Sequence, residues 1–501
     1  MLSLVAVSAY TATVLIHADS EKYFLGSPLV WSLNDGEQTG TSECVPVFIE
    51  NLVPDSGYCF VVAGEQLNFK TAHCAGLVDA TDYGVSTVAK NNGLAFSEAI
   101  AAVPEGGTLF VPRGRYVSKP IFLKSDMTLL LCAGAEIAAC DDRQDWPVLP
   151  AQDDTGRVLG TWEGLPDLCY ASVVTAIDCE RLTITGTGII DGGGDRGDWW
   201  TWPKETRGGA RRARTLFMAY CRDIILSGFT VRNSPSWTVH PFQCHNMTVA
   251  ALSIKNPSDS PNTDGLDPES CTDVRLIGLH ISVGDDCIAV KAGKFGTGED
   301  RRIDHVAPTR RLTILNCLML DGHGAVVMGS EMSGEITDVT ILRCEFKGTD
   351  RGLRIKTRRG RGGRVARITM QDVSMDCVGT ALAINAFYFC DADGKSALVQ
   401  SRDSAPVSST TPRIHDITVR DIVLKKVLHA AAAMLGLPEA PLRDIRLSGF
   451  SISYDPDATP GDALMACHIP PVCHGGILHR FAEITVDSAL EPYMQEFPHV
   501  D

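Results

Sequence analysis

The fold is decided by the segment Asp223-Ile-Ile-Leu-Ser-Gly-Phe-Thr-Val-Arg232, because the chain repeats it. A second copy reads Asn246-Met-Thr-Val-Ala-Ala-Leu-Ser-Ile-Lys255, and a third reads Asp273-Val-Arg-Leu-Ile-Gly-Leu-His-Ile-Ser282. Each copy begins with a polar turn, continues as an apolar-alternating strand and ends in a second short strand, which is a β pattern. Five further copies begin near residues 311, 338, 367, 415 and 443.

The spacing of these copies predicts how they assemble. Successive copies are 23, 27, 38, 27, 29, 49 and 28 residues apart, counted between the first strand residues Ile224, Met247, Val274, Leu312, Val339, Ile368, Ile417 and Ile445. The common step is the length of one coil of a parallel β-helix, in which stacked coils bury one continuous core. The two long steps hold inserted loops at 293–310 and 385–412. Asn-Gly turns are scarce between the copies, which disfavours a sandwich or barrel built from hairpins.

Two other regions flank the repeats. Residues 1–72 contain short alternating strands and turn signals, a pattern typical of a small β-sandwich, and the stretch at 52–58 resembles part of a fibronectin type III domain. Residues 94–103 carry apolar residues at helical spacing, so we expect a helix that covers the open end of the β-helix. The sequence therefore predicts an all-β protein, with a fibronectin type III-like β-sandwich at 1–72 and a right-handed parallel β-helix at 73–501.

Composition indicates a soluble globular protein. Hydrophobic residues make up 44% of the chain and charged residues 21%, and no apolar run approaches the roughly 20 residues that span a bilayer. The apolar N-terminus has no Lys or Arg before Lys22. A secretory signal normally has a positive start, so we interpret this segment as a first strand and expect a cytoplasmic protein, with a periplasmic or secreted location as the alternative.

Cysteine usage agrees with a reducing compartment. The 17 cysteines are odd in number and lack paired spacings. Several recur at similar places in the repeats, which indicates buried, reduced side chains. Because CxxC pairs are absent, a zinc site has no support. The sequence predicts neither a metal nor a cofactor.

Charge restricts the possible partners. The formal net charge of −16 disfavours nucleic acid and anionic membranes. Between residues 343 and 367, however, ten Lys and Arg stand against two acidic residues. Such a cluster alone is more typical of a solvated face. Beside the acidic motifs described next, it favours the capture of an acidic sugar polymer.

Four polar islands interrupt the apolar repeats, and they read Asn262-Thr-Asp-Gly265, Gly284-Asp-Asp-Cys287, Gly322-His-Gly324 and Arg354-Ile-Lys356. Coils stack at roughly 4.8 Å, so residues far apart in sequence can converge. Glycosidic cleavage needs a protonated and an ionised carboxyl, and clustered aspartates raise one another's pKa. Arg354 and Lys356 are two apart and share one strand face, where they can bind a substrate carboxylate. Adjacent Asp285 and Asp286 can both face the site only if the chain bends, and Gly284 permits a bend.

Each island alone has a simpler explanation. Asp-Gly is usually a turn, Asp-Asp a solvated corner and Gly-His-Gly a loop, so only the ordered set of four carries the functional prediction. Aspartates could also bind Ca²⁺, but no EF-hand spacing supports that alternative.

The four islands resemble the signature segments of the polygalacturonases, glycoside hydrolase family 28, over roughly residues 78–455. Further stretches at 232–240, 329–334 and 351–357 resemble the bacterial exo-acting members. The resemblance implies inverting hydrolysis of α-1,4-galacturonan in polygalacturonate and oligogalacturonides. It implies that Asp285 is the general acid, that Asp264 and Asp286 activate water, and that His323 tunes the acid. The implied substrate-binding residues are Arg354, Lys356, Asn262, Tyr388, Arg351 and Arg358.

Other functions remain open at this point. An endo-acting polygalacturonase, or a rhamnogalacturonan or xylogalacturonan hydrolase, would belong to the same family. Rhamnogalacturonan-type members typically lack the Gly-His-Gly and Arg-Ile-Lys segments, which argues against that substrate. A β-helical carbohydrate-binding protein would have no activity, and a β-helical pectate lyase would need Ca²⁺ and form unsaturated products.

Overall fold

A computed structural model describes residues 1–296 and 305–497, and in it the repeats form the predicted parallel β-helix. The larger sheet contains 21 parallel strands. They are Leu77–Asp79, Gly107–Val111, Gly114–Ser118, Met127–Leu131, Ala135–Ala139, Glu180–Gly186, Ile189–Asp191, Arg222–Ser227, Thr230–Arg232, His245–Ala250, Ser253–Lys255, Thr272–Ile277, His280–Ser282, Thr309–Leu315, Leu318–Leu320, Ile336–Leu342, Glu345–Lys347, Arg364–Asp376, Arg413–Val427, Leu442–Tyr454 and Ala482–Val486.

The strand register confirms the repeat that the sequence predicts. Each of the eight first strand residues, from Ile224 to Ile445, is the direct register partner of the next one in the series. These side chains are at most 1% exposed and belong to one continuous apolar core. One-residue slips would turn them outward, so the core itself fixes the register.

A second parallel sheet carries the residues that matter for function. Its strands form two groups, joined by bridges from Leu266 and Glu269 to the strands on either side. The first group is Ile121–Leu123, Val174–Ile177, Leu216–Ala219 and Val239–Phe242. The second is Asp286–Val290, Gly324–Gly329, Arg351–Lys356, Thr380–Asn385, Ala430–Leu435, Gly475–Arg480 and Met494–Glu496.

One corner of the β-helix is lined by residues with left-handed backbone. The residue just before each first strand residue has φ between 52° and 60°, and the eight are Asp223, Asn246, Asp273, Arg311, Asp338, Arg367, Asp416 and Asp444. Arg311 binds Asp273 through two hydrogen bonds of 2.6 Å, and Arg367 binds Asp338 through bonds of 2.6 and 2.7 Å. We call Asp273, Arg311, Asp338 and Arg367 the Asp–Arg column.

Helical segments and small hairpins decorate the coils. The predicted helix is present at Gly93–Ala102, and its Phe96, Ala99 and Ile100 are buried in the β-helix core at its first coils. Other helical segments are Ala80–Tyr83, Trp199–Thr201, Ala397–Gln400 and Glu491–Tyr493. Val148–Leu149 pairs antiparallel with Cys169–Tyr170, and between these strands Thr161–Trp162 and Leu165–Pro166 form a hairpin. Of the predicted loop at 293–310, residues 297–304 lie outside the described part of the chain.

The first 70 residues form two antiparallel sheets around a small core of their own. One contains Ser3–Val7, Ala12–Leu15 and Pro46–Ile49, and the other contains Phe24–Leu33, Gln38–Cys44, Gly57–Val62 and Glu65–Lys70. The helical turn Asn34–Gly36 connects the first two strands of the second sheet. We call this part the N-terminal module.

The N-terminal module lies along the side of the β-helix and contacts several coils. Thr11 hydrogen-bonds Thr185 at 2.7 Å, Glu345 accepts from the backbone of Phe24 at 3.1 Å, and Lys22 pairs with Asp372 at 2.8 Å. The module also packs against Gly228, where a Cβ would lie 2.4 Å from the Phe48 ring. Glycine therefore makes room for the module at this coil.

All seventeen cysteines lie in the described residues and are free thiols. Cys179, Cys221, Cys244 and Cys271 stack at one buried corner, where burial raises the thiol pKa of Cys244. Within the described ranges, every helix is too short or too polar to cross a membrane.

Candidate active site

Register between neighbouring coils brings the islands together. Leu266 bridges to Ile288, and Asp264 and Asp286 each lie two residues before these partners. The two carboxylates therefore lie on adjacent coils, and Asp286 pairs in turn with Gly324 of the Gly-His-Gly island. The stacking of coils therefore brings the polar islands together, as the sequence predicts.

Asp264, Asp285 and Asp286 form one group, which we call the aspartate cluster. One carboxylate oxygen of each lies within 4.8 Å of the other two. Asp264 and Asp286 are 3% and 1% exposed, and Asp285 is half-buried. Charges interact strongly where water is excluded, so three carboxylates this close cannot all be ionised cheaply.

Glycines allow the coils that carry the cluster to pack closely. The predicted bend at Gly284 is present, but its φ is not left-handed; a Cβ there would lie 2.3 Å from the carbonyl oxygen of Ser260. Gly322 has a φ of +78°, and its Cβ would lie 2.3 Å from the carbonyl oxygen of Asp285. Close backbone approach, as well as turn geometry, therefore requires glycine on both sides of Asp285.

Arg354 and Lys356 project from one face of their strand, because Leu353 and Ile355 point into the core. Arg354 Nη1 lies 3.1 Å from Asp286, and Lys356 Nζ lies 2.6 Å from its other oxygen. Both side chains line the cavity. We predicted that they bind substrate carboxylates, and in the structure they already bind the carboxylate of Asp286.

His323 is tied to Asp285. Its backbone N–H donates to the Asp285 carbonyl at 3.1 Å, and its Nδ1 lies 3.2 Å from Asp285 Oδ1. The hydrogen bond to Asp285 raises the pKa of His323 to about 9, although burial opposes this. Burial disfavours the charge on Asp285, but His323, Lys356 and Arg354 together outweigh it and lower the pKa of Asp285 to about 2. The two groups form an ion pair at neutral pH.

Asp264, and not Asp285, is the protonated member of the aspartate cluster. Burial, with the nearby charge of Asp285, raises the pKa of Asp264 to about 8, against the pull of Lys291. Beneath it lies Asp267, whose pKa is raised further by burial and by Asp264. Neither carboxylate oxygen of Asp267 has a hydrogen-bond partner in the described residues. The implied general acid, Asp285, is therefore ionised in the substrate-free site, and Asp264 is protonated.

Three more of the predicted substrate-binding residues line the same cavity. The ring of Tyr388 lies 5.7 Å from the Arg354 guanidinium and 5.4 Å from Lys356 Nζ. Arg351 donates to the carbonyl of Asp350 at 2.8 Å. Asn262 accepts a hydrogen bond of 2.6 Å from a buried guanidinium, so it is held in place at the cavity wall.

The expectation for Arg358 was wrong as to its place. Among the described residues it is absent from the cavity lining. Its guanidinium lies 2.9 Å from Asp391 and 2.7 Å from Asp393, and it is 5% exposed. The loop that follows Asn385 folds back and supplies these carboxylates, so Arg358 supports the wall from behind instead of reaching the cavity.

Four residues of the site are not predicted from the sequence: Lys291, Asp267, Glu331 and Trp237. Lys291 Nζ lies 3.6 Å from both Asp264 and Asp267 and 3.4 Å from Glu331, above the ring of Trp237 at 4.2 Å. A signal for Lys291 existed, because it is a lone cation directly after the strand Asp286–Val290, in which every residue after Asp286 is apolar. Glu331 lies in the 329–334 stretch, to which the resemblance assigned no role.

The cavity has a volume of about 350 Å³, and several loops border it. Glu163 of the Thr161–Trp162 hairpin lies 4.0 Å from Lys294, and Lys294 lies 3.4 Å from Asp391 of the inserted loop. Asp391 is also bound by Arg361. We call Glu163, Lys294 and Asp391 the ionic bridge, and it joins two separate loops across one side of the cavity.

Comparison with known proteins gives a consistent result. The sequence profile of glycosyl hydrolases family 28 matches residues 161–468. A probable polygalacturonase of Vitis vinifera is 34% identical over 391 residues, which is 76% of this chain and 74% of that protein. A family 28 exopolygalacturonase of Yersinia enterocolitica superposes with a TM-score of 0.69 at 18% identity, over 99% of this chain and 97% of its own. A hyperthermoactive exopolygalacturonase of Thermotoga maritima gives 0.67 at 23% identity, over 84% and 91%. The relatives also include proteins named endo-polygalacturonase.

Proposed function

The chain belongs to glycosyl hydrolases family 28 and is a glycoside hydrolase of the polygalacturonase type, and from this premise we propose that it acts on chain ends. Its substrates would be polygalacturonate and oligogalacturonides, and its product galacturonate or a short oligomer. The aspartate cluster beside Arg354 and Lys356 supports cleavage of an acidic sugar chain. The observation that carries chain-end action is the ionic bridge across one side of the same cavity.

Before catalysis, the proton of the aspartate cluster is bound to the residue that acts as the base and not to the general acid. Asp264 holds it in the substrate-free site, whereas Asp285 must donate it to the glycosidic oxygen. A galacturonate carboxylate that engages the nearby cations adds negative charge and so raises the pKa of Asp285. The proton then passes from the Asp264 carboxyl to the Asp285 carboxylate. That one transfer creates the general acid and leaves Asp264 ionised as a base.

Cleavage then uses both groups. Asp285 gives its proton to the oxygen of the leaving sugar while a water molecule attacks the anomeric carbon and loses a proton to Asp264, helped by Asp286. Inverting enzymes usually separate their carboxyls by about 6.5–9.5 Å, and the cluster oxygens lie within 4.8 Å. Inversion is therefore proposed from the family alone. NMR that identifies which anomer of the product forms first tests it directly.

Chain-end action is supported by the loops around the cavity. The ionic bridge ties the hairpin at Glu163 to the loop at Asp391 across one side, and Met465 lines the cavity from a third loop. A polymer that passes through a site needs a groove open at both ends. A site enclosed in this way is better suited to the end of a chain.

Product analysis over time tests the proposal. With polygalacturonate we expect galacturonate or one short oligomer from the first time point, while the viscosity of the solution falls slowly. A rapid fall in viscosity with a mixture of oligomers would show endo action. A parallel assay with chelator, read for ultraviolet absorbance, distinguishes hydrolysis from Ca²⁺-dependent elimination.

We also propose a cytoplasmic location, in which the enzyme finishes imported oligogalacturonides. Its support is the set of seventeen free thiols, since reduced cysteines are typical of that compartment. Fractionation of the native host tests this, and recovery of the activity outside the cytoplasm contradicts it.

A further inference from the structure

Lys291 lines the cavity beside the aspartate cluster, and none of the steps proposed for cleavage uses it. Its side chain is 4% exposed and its Nζ lies between three carboxylates, those of Asp264, Asp267 and Glu331, at 3.4–3.6 Å. A buried ammonium needs such partners, because desolvation otherwise favours its neutral form. Here the carboxylates outweigh burial and raise the pKa of Lys291, so it stays charged.

Each cation of the site lies beside a particular aspartate of the cluster. Arg354 and Lys356 both lie on Asp286, and His323 lies on Asp285. Within residues 1–296 and 305–497, Lys291 is the one cation within salt-bridge distance of Asp264, at 3.6 Å. The ionisation of Asp264, which determines where the proton of the cluster lies, is therefore governed by one buried cation. That cation directly follows the strand Asp286–Val290.

The other charged groups around Lys291 and Asp264 do not replace it. The acidic groups that face the pair from the surrounding strands are Asp267, Asp285, Asp286 and Glu331, and the basic groups are Lys356, Arg212, Arg214 and His240. Lys356 is committed to Asp286 at 2.6 Å, and Arg212 to backbone carbonyls and Asn262. His240 is fully buried against Glu269 at 2.9 Å.

We propose that Lys291 is a positioning residue of the reaction, which holds Asp264 beside the substrate and sets the pH range in which the cluster carries one proton. This inference rests on the proposed function, because that function requires a singly protonated cluster. Lys291 acts through Asp264 and need not touch the sugar. Its loss should therefore change the pH dependence of kcat/KM, whereas loss of a merely structural lysine should leave that dependence in place.

The experiment compares the pH profile of wild type with three variants on oligogalacturonides. In Lys291→Met the cluster loses a cation and binds protons more tightly, so both limbs of the bell-shaped profile should move to higher pH by at least about one unit, a tenfold change at fixed pH on the acidic side. Lys291→Arg keeps the charge, and its limbs should stay in place. The matched control is Lys294→Met, which removes a lysine three residues away that pairs with Glu163 and Asp391; its limbs should also stay.

A folding defect is handled by a second variant. If Lys291→Met is unfolded by circular dichroism, Lys291→Met with Glu331→Gln removes one charge of each sign and should still show an upward shift, smaller than that of the single variant because the loss of the Glu331 charge offsets part of the loss of Lys291. Unshifted limbs in a folded variant that lacks Lys291, or an equal shift in Lys294→Met, would overturn the role of Lys291 while leaving the proposed function intact. A wild-type protein that releases no sugar would overturn both.

Discussion

Two stacks of charged residues run along this β-helix at the same coil spacing, yet they differ in chemistry. In the Asp–Arg column, Asp338 is 36% exposed, and its two hydrogen bonds from Arg367 lower its pKa to about 2. In the aspartate cluster, Asp264 is 3% exposed, and burial raises its pKa to about 8. Both groups are aspartates that face a cation from a nearby strand.

The difference lies in burial and in the ratio of charges. Each aspartate of the column has its own arginine and remains in contact with water, so both members stay ionised and little energy is stored. The cluster places three carboxylates out of water, where their mutual repulsion can be relieved only by cations or by a proton. Environment, and not residue type, therefore decides which aspartates can do acid–base chemistry.

The sharpest test exchanges one aspartate in each stack. Asp285→Asn removes the group that donates the proton, and we expect kcat to fall by about 10²–10⁴-fold. Asp338→Asn makes the same chemical change in the column and should leave kcat unchanged. Initial rates on oligogalacturonides, with circular dichroism as the folding control, measure both. Equal losses in the two variants would mean that the stacks do not differ as described.

Stability should separate the stacks in the same way. Lys356→Met leaves buried Asp286 with Arg354 as its direct cation among the described residues, and we expect a loss of about 1.5–3 kcal/mol in the free energy of unfolding, the usual contribution of a hydrogen bond to a charged group. Arg367→Met removes an exposed partner and should cost less than about 1 kcal/mol. Urea denaturation of both variants gives the two values. A similar cost at both positions would contradict the importance of burial.

The pH profile of the wild type tests the proton of the cluster. The raised pKa of Asp264 means that this group is protonated below about pH 8 and loses its proton above it. Because cleavage needs that proton, kcat/KM should fall about tenfold per unit above pH 8. Asp338→Asn should show the same limb. Activity that continues to rise through pH 10 would exclude Asp264 as the source of the proton.

The smallest effect concerns acid stability. The lowered pKa of Asp338 contributes stability that is present above its unfolded value, near 3.9, and is lost as the pH falls through about 2. Asp338→Asn should therefore be less stable than wild type at pH 6 by under about 1 kcal/mol, and the two should converge near pH 2. Urea denaturation at intervals between pH 2 and 6 measures this, and a constant difference across the range would refute it.

Much of the fold could be predicted, because repeated apolar positions determine it. Residues from Ile224 to Ile445 form an unbroken series of register partners, as expected when one buried core fixes every coil. The four islands could be predicted too, because polar residues at fixed places in an apolar repeat have little structural reason to be there. The strands Phe24–Leu33 and Gln38–Cys44 were missed for different reasons: burial is irregular along the first, and the second alternates between half-buried and exposed positions but consists mainly of small and polar residues, so its sequence carries no apolar pattern.

What escaped prediction depends on contacts between distant segments. Nothing in the basic run at 343–367 distinguishes Arg354, which lines the cavity, from Arg358, which supports a returning loop. The ionic bridge joins residues that are 131 and 97 positions apart, on loops without a repeat. The protonation of Asp264 over Asp285 is set by depth and by partners, and neither can be read from the order of residues.

The placement of the N-terminal module has a consequence for how the chain is made. Residues 1–70 are translated before the coils that they contact, since the partners of Lys22 and Phe24 are Asp372 and Glu345. A domain usually folds as it emerges from the ribosome, whereas this one cannot settle against its final surface until those later coils have been translated. The N-terminal module is thus fastened only after the coils that follow it in sequence, and its docking reports that they have assembled.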